Sequence, residues 1–337
     1  MSTAPPGWSG SPASPASPAN PASPATPLAT TEPVAPANTP AIVEDVIDLP
    51  NGKELDDPAA SRLQTAKPAR LMVVAGPVGA GKTTLLNTLH DLFQEGKIGA
   101  YSFAWSKTLP AFERRCHFSR TASERTAQDT ERTPFGDVRY LHVQVSGPEL
   151  HPDPLDLLFT DVSGETFERA RDSISECQQL MTFLRTADHF LLLIDCEKLI
   201  DLRKRNKIIH DAMALLRLCL DSGMLGNSCY VNVLWTKYDW IAAAGGTEHT
   251  SFLEKATKEF EIQFGSRVGR LSFTTVAARP EKGENLEFGH GIPELLKEWA
   301  INSPRHRDMN LTPGDEAGTR ESETFLDRHF KAVQDAQ

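Results

Sequence analysis

The sequence predicts an α/β fold, and three observations carry that prediction. Apolar strand-like runs alternate with helical patterns from Arg70 to Trp299. The first run, Arg70-Leu71-Met72-Val73-Val74-Ala75, leads straight into the glycine-rich Gly76-Pro77-Val78-Gly79-Ala80-Gly81-Lys82-Thr83-Thr84. Two later runs also end in short polar motifs, Asp161-Val162-Ser163-Gly164 and Thr236-Lys237-Tyr238-Asp239.

The whole chain sets the limits. Its 337 residues are 39% hydrophobic and 24% charged, enough for one large domain or two small ones. A net charge of −10 argues against general nucleic-acid binding through phosphate neutralisation. No run of 18 apolar residues is present and no basic, apolar leader opens the chain, so a cytoplasmic protein is expected. Peripheral membrane contact stays open. Cys116, Cys177, Cys196, Cys219 and Cys229 are scattered without a C-x-x-C pair, which reads as free buried thiols rather than a zinc site.

Residues 1–40 are built of Ser-Pro-Ala and Asn-Pro-Ala repeats and are expected to be a disordered tail. Residues 41–68 read as an acidic linker, with either a short linear motif or an extra strand around Ile42–Leu49. The globular domain is expected at 69–302. Leu85, Leu86, Leu89 and Leu92 give a helix starting at Thr83. Residues 96–136, rich in Arg, Ser and Thr, read as a long loop. Val138–Val145 and Leu155–Phe159 read as an antiparallel hairpin. One helix is expected over 163–185, with Phe167, Ala170, Ile174, Cys177, Met181 and Leu184 inward. Strands at 189–194, 230–236 and 271–276 alternate with helices at 199–222, 251–264 and one starting at Pro293. Residues 303–337 read as a linker and a short docking helix.

The motifs carry the chemistry. Gly76 to Thr83 fits G-x-x-x-x-G-K-[ST], a loop whose backbone N–H groups point inward around an anion. Its phosphate-binding candidates are Gly76, Val78, Gly79, Ala80, Gly81, Lys82, Thr83 and Thr84, with Lys82 on the β- and γ-phosphates and the Thr83 hydroxyl on Mg²⁺. The helix N-terminus adds partial positive charge. Asp161, ending an apolar strand, is the second Mg²⁺ candidate, and the bare N–H of Gly164 can meet a γ-phosphate. Asp239 can accept hydrogen bonds from N1–H and the 2-amino group of guanine, a donor pair adenine lacks. Lys237 can lay its stem along the base, and Thr236 can brace the loop against the first motif. Ala277 or Ala278 can bring a backbone N–H to guanine O6.

Taken in that order, G-x-x-x-x-G-K-T, D-x-x-G and T-K-x-D resemble the Ras-like GTPases of the translation-factor-related class. More narrowly, Ser102–Leu109, Glu131-Arg132-Thr133-Pro134 and Asp161–Glu165 look like the bacterial double-GTPase group. The resemblance implies a P-loop three-layer sandwich with a mostly parallel six-stranded sheet and one antiparallel strand. It implies GTP and GDP binding with Mg²⁺, hydrolysis, and a partner such as a second GTPase or an effector in a regulatory or conflict system. It makes 96–136 an extended first switch, whose Mg²⁺-binding threonine is Thr133, with Thr130 in reserve, and makes 163–185 the second.

Two departures point to slow turnover. Glu165 stands where the family often has a water-orienting Gln, and Val78 where the best-known members have Gly. Lys82, Gly164, Glu165 and Thr133 are the catalytic candidates. The rival readings are a nucleotide-binding scaffold that does not hydrolyse, and a P-loop ATPase or kinase, against which the T-K-x-D stretch speaks.

Overall fold

The structure is a computed structural model that describes residues 52–301, except 68, 124–137, 151–152, 172, 246 and 282–285. All of these belong to one unit of the chain, Leu49–Gln337. The expected tails at 1–40 and 303–337, and the motif or strand expected within 41–49, lie outside the described residues.

Seven strands form one sheet: β1 Ala69–Ala75, β2 Ser102–Trp105, β3 Arg139–Ser146, β4 Leu155–Asp161, β5 His189–Asp195, β6 Tyr230–Thr236 and β7 Arg270–Val276. Their order is β2-β3-β4-β1-β5-β6-β7. β4, β1, β5, β6 and β7 pair in parallel, whereas β3 is antiparallel to both β2 and β4. One strand therefore runs against the rest, as expected, but the sheet has seven strands instead of six. The added strand is β2. It sits at an edge, is four residues long, and its residues are half-buried or exposed, so its apolar stretch is too short to mark a buried strand.

Parallel strands covered on both faces read as continuous apolar runs, and β4 and β5 are buried at every position. One face of the sheet, with Val73, Leu158, Phe190 and Val233, packs against α4 Gly164–Ala170, α5 Ile174–Leu180, α7 Arg205–Asp221 and α9 Thr247–Phe264. The other, with Val74, Phe159, Leu191 and Leu234, is covered by α2 Lys82–Glu95, α3 Leu109–Ser123 and α10 Ile292–Ile301. The result is the three-layer P-loop sandwich.

Three expectations need correction. The loop expected over 96–136 contains β2 and α3. α3 buries Ala111, Phe112 and Cys116, but Glu113, Arg114 and Arg115 interrupt its apolar spacing. The single helix expected over 163–185 is split into α4, α5 and a 3-10 turn at Thr182–Thr186, because the Ser173 hydroxyl accepts from Glu176 N–H and starts a new helix. The helix expected over 199–222 is two, α6 Cys196–Leu199 and α7. Asp195 caps the first, and between them the Asp201 carboxylate accepts Arg203 N–H and shapes a turn.

A further helix, α1 Asp57–Ala66, precedes β1 inside the segment read as a linker. Its signal was present: Asp56 caps it, accepting Ala59 N–H at 2.9 Å, and Pro58 stands in its first turn. α1 buries Ala60 and Leu63 against the core, and Tyr140 Oη donates to Asp57 at 2.6 Å. Just before it, Leu55 bridges to Tyr140. Leu63→Ala should lower the unfolding free energy by about 2–3 kcal/mol. Urea unfolding of the full chain measures it, and a loss below about 0.5 kcal/mol would mean α1 does not dock.

Candidate functional site

The site is assembled at the C-terminal edge of the parallel strands. After β1 the chain turns through Gly76–Gly81, and α2 begins at Lys82. Gly81 caps that helix at φ 91°, in the left-handed region that glycine enters without a Cβ penalty. The first intrahelical bond is Leu85 N–H to Gly81 O at 2.8 Å. The N–H groups of Lys82, Thr83 and Thr84 therefore lie in the first turn, where no helical carbonyl can reach them.

Lys82 Nζ folds back onto the loop, donating to Gly76 O at 2.8 Å and Pro77 O at 3.1 Å. Burial pulls its pKa down to about 8, against the raising charges of Asp161 and Glu168. Val78 and Gly79 are exposed on the loop, while Ala80 is buried beneath it.

The D-x-x-G segment closes onto this loop. A Cβ on Gly164 would stand 2.5 Å from Val78 N and 2.8 Å from the Pro77 carbonyl carbon, so only glycine fits against that backbone. Glu165 is exposed in the first turn of α4. One turn on, Glu168 reaches the loop instead and accepts Val78 N–H at 3.4 Å. Sequence reasoning missed Glu168, which has no motif of its own. It also missed Lys198 of α6, whose Nζ donates to Val78 O at 3.3 Å.

Asp161 ends β4 and is 5% exposed. β4 is the neighbour of β1, so Asp161 and Thr83 belong to adjacent strand–loop units. A hydroxyl and a carboxylate are hard oxygen donors, the kind Mg²⁺ takes together with phosphate oxygens and water. Among the described residues no cluster of three His, Cys, Asp or Glu could hold a metal ion by itself. Asp161 is ion-paired with Arg115 of α3. The sequence reading contained no sign of this. Thr133 and Thr130 lie outside the described residues.

The third motif is placed by β6. The Thr236 hydroxyl bonds both Ala80 O at 2.8 Å and Ile194 O at 3.1 Å, tying β6 to the glycine-rich loop and to β5. Lys237 follows at φ 52°, and among the described residues it is the one non-glycine at positive φ. That conformation costs about 1–2 kcal/mol. Lys237 Nζ is anchored on Asp195 at 3.1 Å and Glu197 at 2.6 Å. Burial pushes its pKa down, but the Glu197 hydrogen bond and the Asp195 charge outweigh this and hold it above the usual lysine value.

Asp239 is 2% exposed and accepts Glu281 N–H at 2.9 Å. Together with Thr84, Leu85, Lys237, Ala278 and Arg279 it lines a cavity of about 200 Å³ that reaches Gly81. Ala277 N–H is engaged with His290 O at 3.1 Å, while Ala278 faces the cavity. Arg279, held by Asp91 at 2.6 Å, was missed although it directly follows the two alanines.

A glycine-rich loop capping α2, a carboxylate at the end of the neighbouring strand and a second buried carboxylate in the adjoining cavity define a P-loop α/β protein. The model of the Double-GTPase 2 family matches residues 70–300, and the chain belongs to that family. Among curated proteins no match was found. Among solved structures, the Saccharomyces cerevisiae Ski7 GTPase-like domain bound to GDP and inorganic phosphate is similar at 15% identity and a TM-score of 0.39, covering 73% of this chain and 53% of that one. The same domain bound to GTP is similar at 16% identity and a TM-score of 0.38, with the same coverage. The chain thus spans about half the length of those structures.

The contact of Gly164 with the loop is open to test. In Gly164→Ala, the added methyl must push the two backbones apart, at a cost of about 1–3 kcal/mol. Thermal unfolding of the nucleotide-free chain should show a lower Tm. An unchanged Tm would mean that α4 does not rest on the loop in solution.

Proposed function

We propose that this chain is a GTP-binding switch with slow, Mg²⁺-dependent hydrolysis of GTP. The observation that carries this reading is Asp239. It is a buried carboxylate facing a cavity next to the phosphate loop, and it already accepts a backbone N–H there. Guanine N1–H and the 2-amino group would take that place. An adenine ring would leave the carboxylate unpaired, at a cost of about 1–3 kcal/mol or more.

The residues divide the work. The N–H groups at Lys82, Thr83 and Thr84 and the Lys82 ammonium cradle the phosphates. Lys82 exchanges its bonds to Gly76 O and Pro77 O for phosphate oxygens. Thr83 and Asp161 would hold Mg²⁺, which would supply neutralisation of phosphate charge. Gly164 N–H senses the γ-phosphate, and Lys237 and Ala278 flank the base. Catalysis then rests on positioning and charge stabilisation rather than on covalent chemistry.

Slow turnover follows from the second departure and the first. Val78, where the best-known members have Gly, is 43% exposed on the loop and could obstruct an arginine from a partner, and Glu165, where the family often has Gln, is exposed in the first turn of α4. Release of the γ-phosphate would relax the segment 163–185 and change the surface offered to a partner, for which a second GTPase or an effector in a bacterial regulatory or conflict system is the candidate. Five free, buried cysteines support a cytoplasmic setting. The same exposure of Val78 and Glu165 favours one second reading, a scaffold that binds nucleotide without hydrolysing it.

Fluorescent GTP and ATP analogues, titrated with Mg²⁺ into the full chain, test the base assignment. GTP should bind at least tenfold more tightly than ATP, and Asp239→Asn should shift preference from guanine to xanthine nucleotides. Equal binding of ATP, or intact GTP binding in Asp239→Asn, would overturn it. Single-turnover hydrolysis should fall in the ~10⁻⁴–10⁻² s⁻¹ range of unassisted members. A rate above about 1 s⁻¹ contradicts the slow-switch reading, and no measurable hydrolysis selects the scaffold.

A further inference from the structure

The carboxylate assigned to the metal carries a resident cation. Arg115 ion-pairs with Asp161 and also reaches Glu54, with Nε and Nη2 at 3.4 and 3.3 Å from Glu54 Oε1. The Arg115 side chain is 16% exposed and that of Asp161 6%, so water screens the pair poorly. The guanidinium is delivered by a packed helix. Asn87 of α2 donates to the Arg115 carbonyl at 3.4 Å, and on the same interface the His90 ring stacks on Phe112 at 5.1 Å. Removing one partner of a largely buried ion pair leaves an uncompensated charge, so such pairs are exchanged rather than simply broken. Glu54 supplies the exchange partner within reach of the same fork.

We infer that Arg115 sets the affinity of this site for Mg²⁺. It holds Asp161 in the metal-free protein, releases that carboxylate on loading with Mg²⁺ and nucleotide, and pairs with Glu54 instead. This rests on the reading of Asp161 as the metal carboxylate. Arg115 and Glu54 are thus positioning residues, acting on the metal through Asp161. The segment before β1 takes part in nucleotide loading through Glu54, although it carries no nucleotide-binding motif.

The two residues should act with opposite sign. Arg115→Gln removes the competitor, so less Mg²⁺ is needed. Glu54→Gln removes the alternative anchor, strengthens the hold of Arg115 on Asp161, and raises the need for Mg²⁺. The test titrates MgCl₂ into the full chain with N-methylanthraniloyl-GDP and reads the Mg²⁺ concentration that half-maximally tightens nucleotide binding. Relative to the unmodified chain, Arg115→Gln should lower that half-point about tenfold, the effect of one neighbouring charge on a carboxylate. Glu54→Gln should raise it about threefold or more. The double variant should follow Arg115→Gln, since Glu54, which also pairs with Arg114 at 3.9 Å, is proposed to reach Asp161 through Arg115. A merely structural role would instead weaken both variants in the same direction.

With Mg²⁺ dependence intact, unchanged half-points or shifts of the same sign overturn this inference and leave the assignment of Asp161 standing. If Asp161→Asn responds to Mg²⁺ with the half-point of the unmodified chain, or the unmodified chain does not respond at all, the assignment of Asp161 falls and this inference with it. Should Arg115→Gln not fold, Glu54→Gln keeps the sign test: a half-point that stays level or drops overturns the inference.

Discussion

Everything at this site depends on the parallel pairing of β4, β1, β5 and β6. Strands that run in the same direction end on the same edge, and ligands of such sheets bind at that edge. The register does the positioning: Asp195 lies opposite Thr236, and Thr236 opposite Val276. Motifs separated by about 80 residues of sequence each are thereby set side by side. The Thr236 hydroxyl then locks the arrangement, joining β6, β5 and the glycine-rich loop through Ile194 O and Ala80 O. It sets the glycine-rich loop at a fixed distance from the cavity holding Asp239.

The charged and polar groups of the site are paired with one another. Lys82 donates to Gly76 O and Pro77 O, Val78 N–H to Glu168, Glu281 N–H to Asp239, and Arg115 to Asp161. Buried polar groups are expensive to leave unmade, so this internal pairing stabilises the protein before any ligand arrives. In the proposed function, binding would be an exchange of these partners, and affinity a small difference between two well-bonded states. That is a natural basis for a switch, because a modest change at one pair can tilt the balance.

Much of the fold was legible because buried parallel strands read as unbroken apolar runs. Leu157-Leu158-Phe159 and Leu191-Leu192-Leu193-Ile194 could hardly be anything else. Where burial was partial, legibility failed. Only Phe103 of β2 packs against the core, and the acid and bases at 113–115 mask the apolar side of α3. The breaks at Ser173 and Asp201 come from single side chains capturing backbone N–H groups, a local choice that hydrophobic spacing does not record. α1 could have been found from Asp56 and Pro58, but its acidic start resembled a linker.

The sequence by itself determined the motifs, because P-loop chemistry needs fixed residue types at fixed short spacings: glycines at the turn, Lys82 and Thr83 at the helix start, Asp161 and Asp239 after strands. Contacts between residues far apart in the chain were decided only by tertiary structure. Glu168 rather than Glu165 rests on the loop, Ala278 rather than Ala277 faces the cavity, and Arg115 pairs with Asp161 and Glu54. No local spacing encodes such contacts. They arise from how α4 leans on the loop, how the chain turns after β7, and how α3 packs on α2, and those arrangements are set by the packing of whole elements against the sheet.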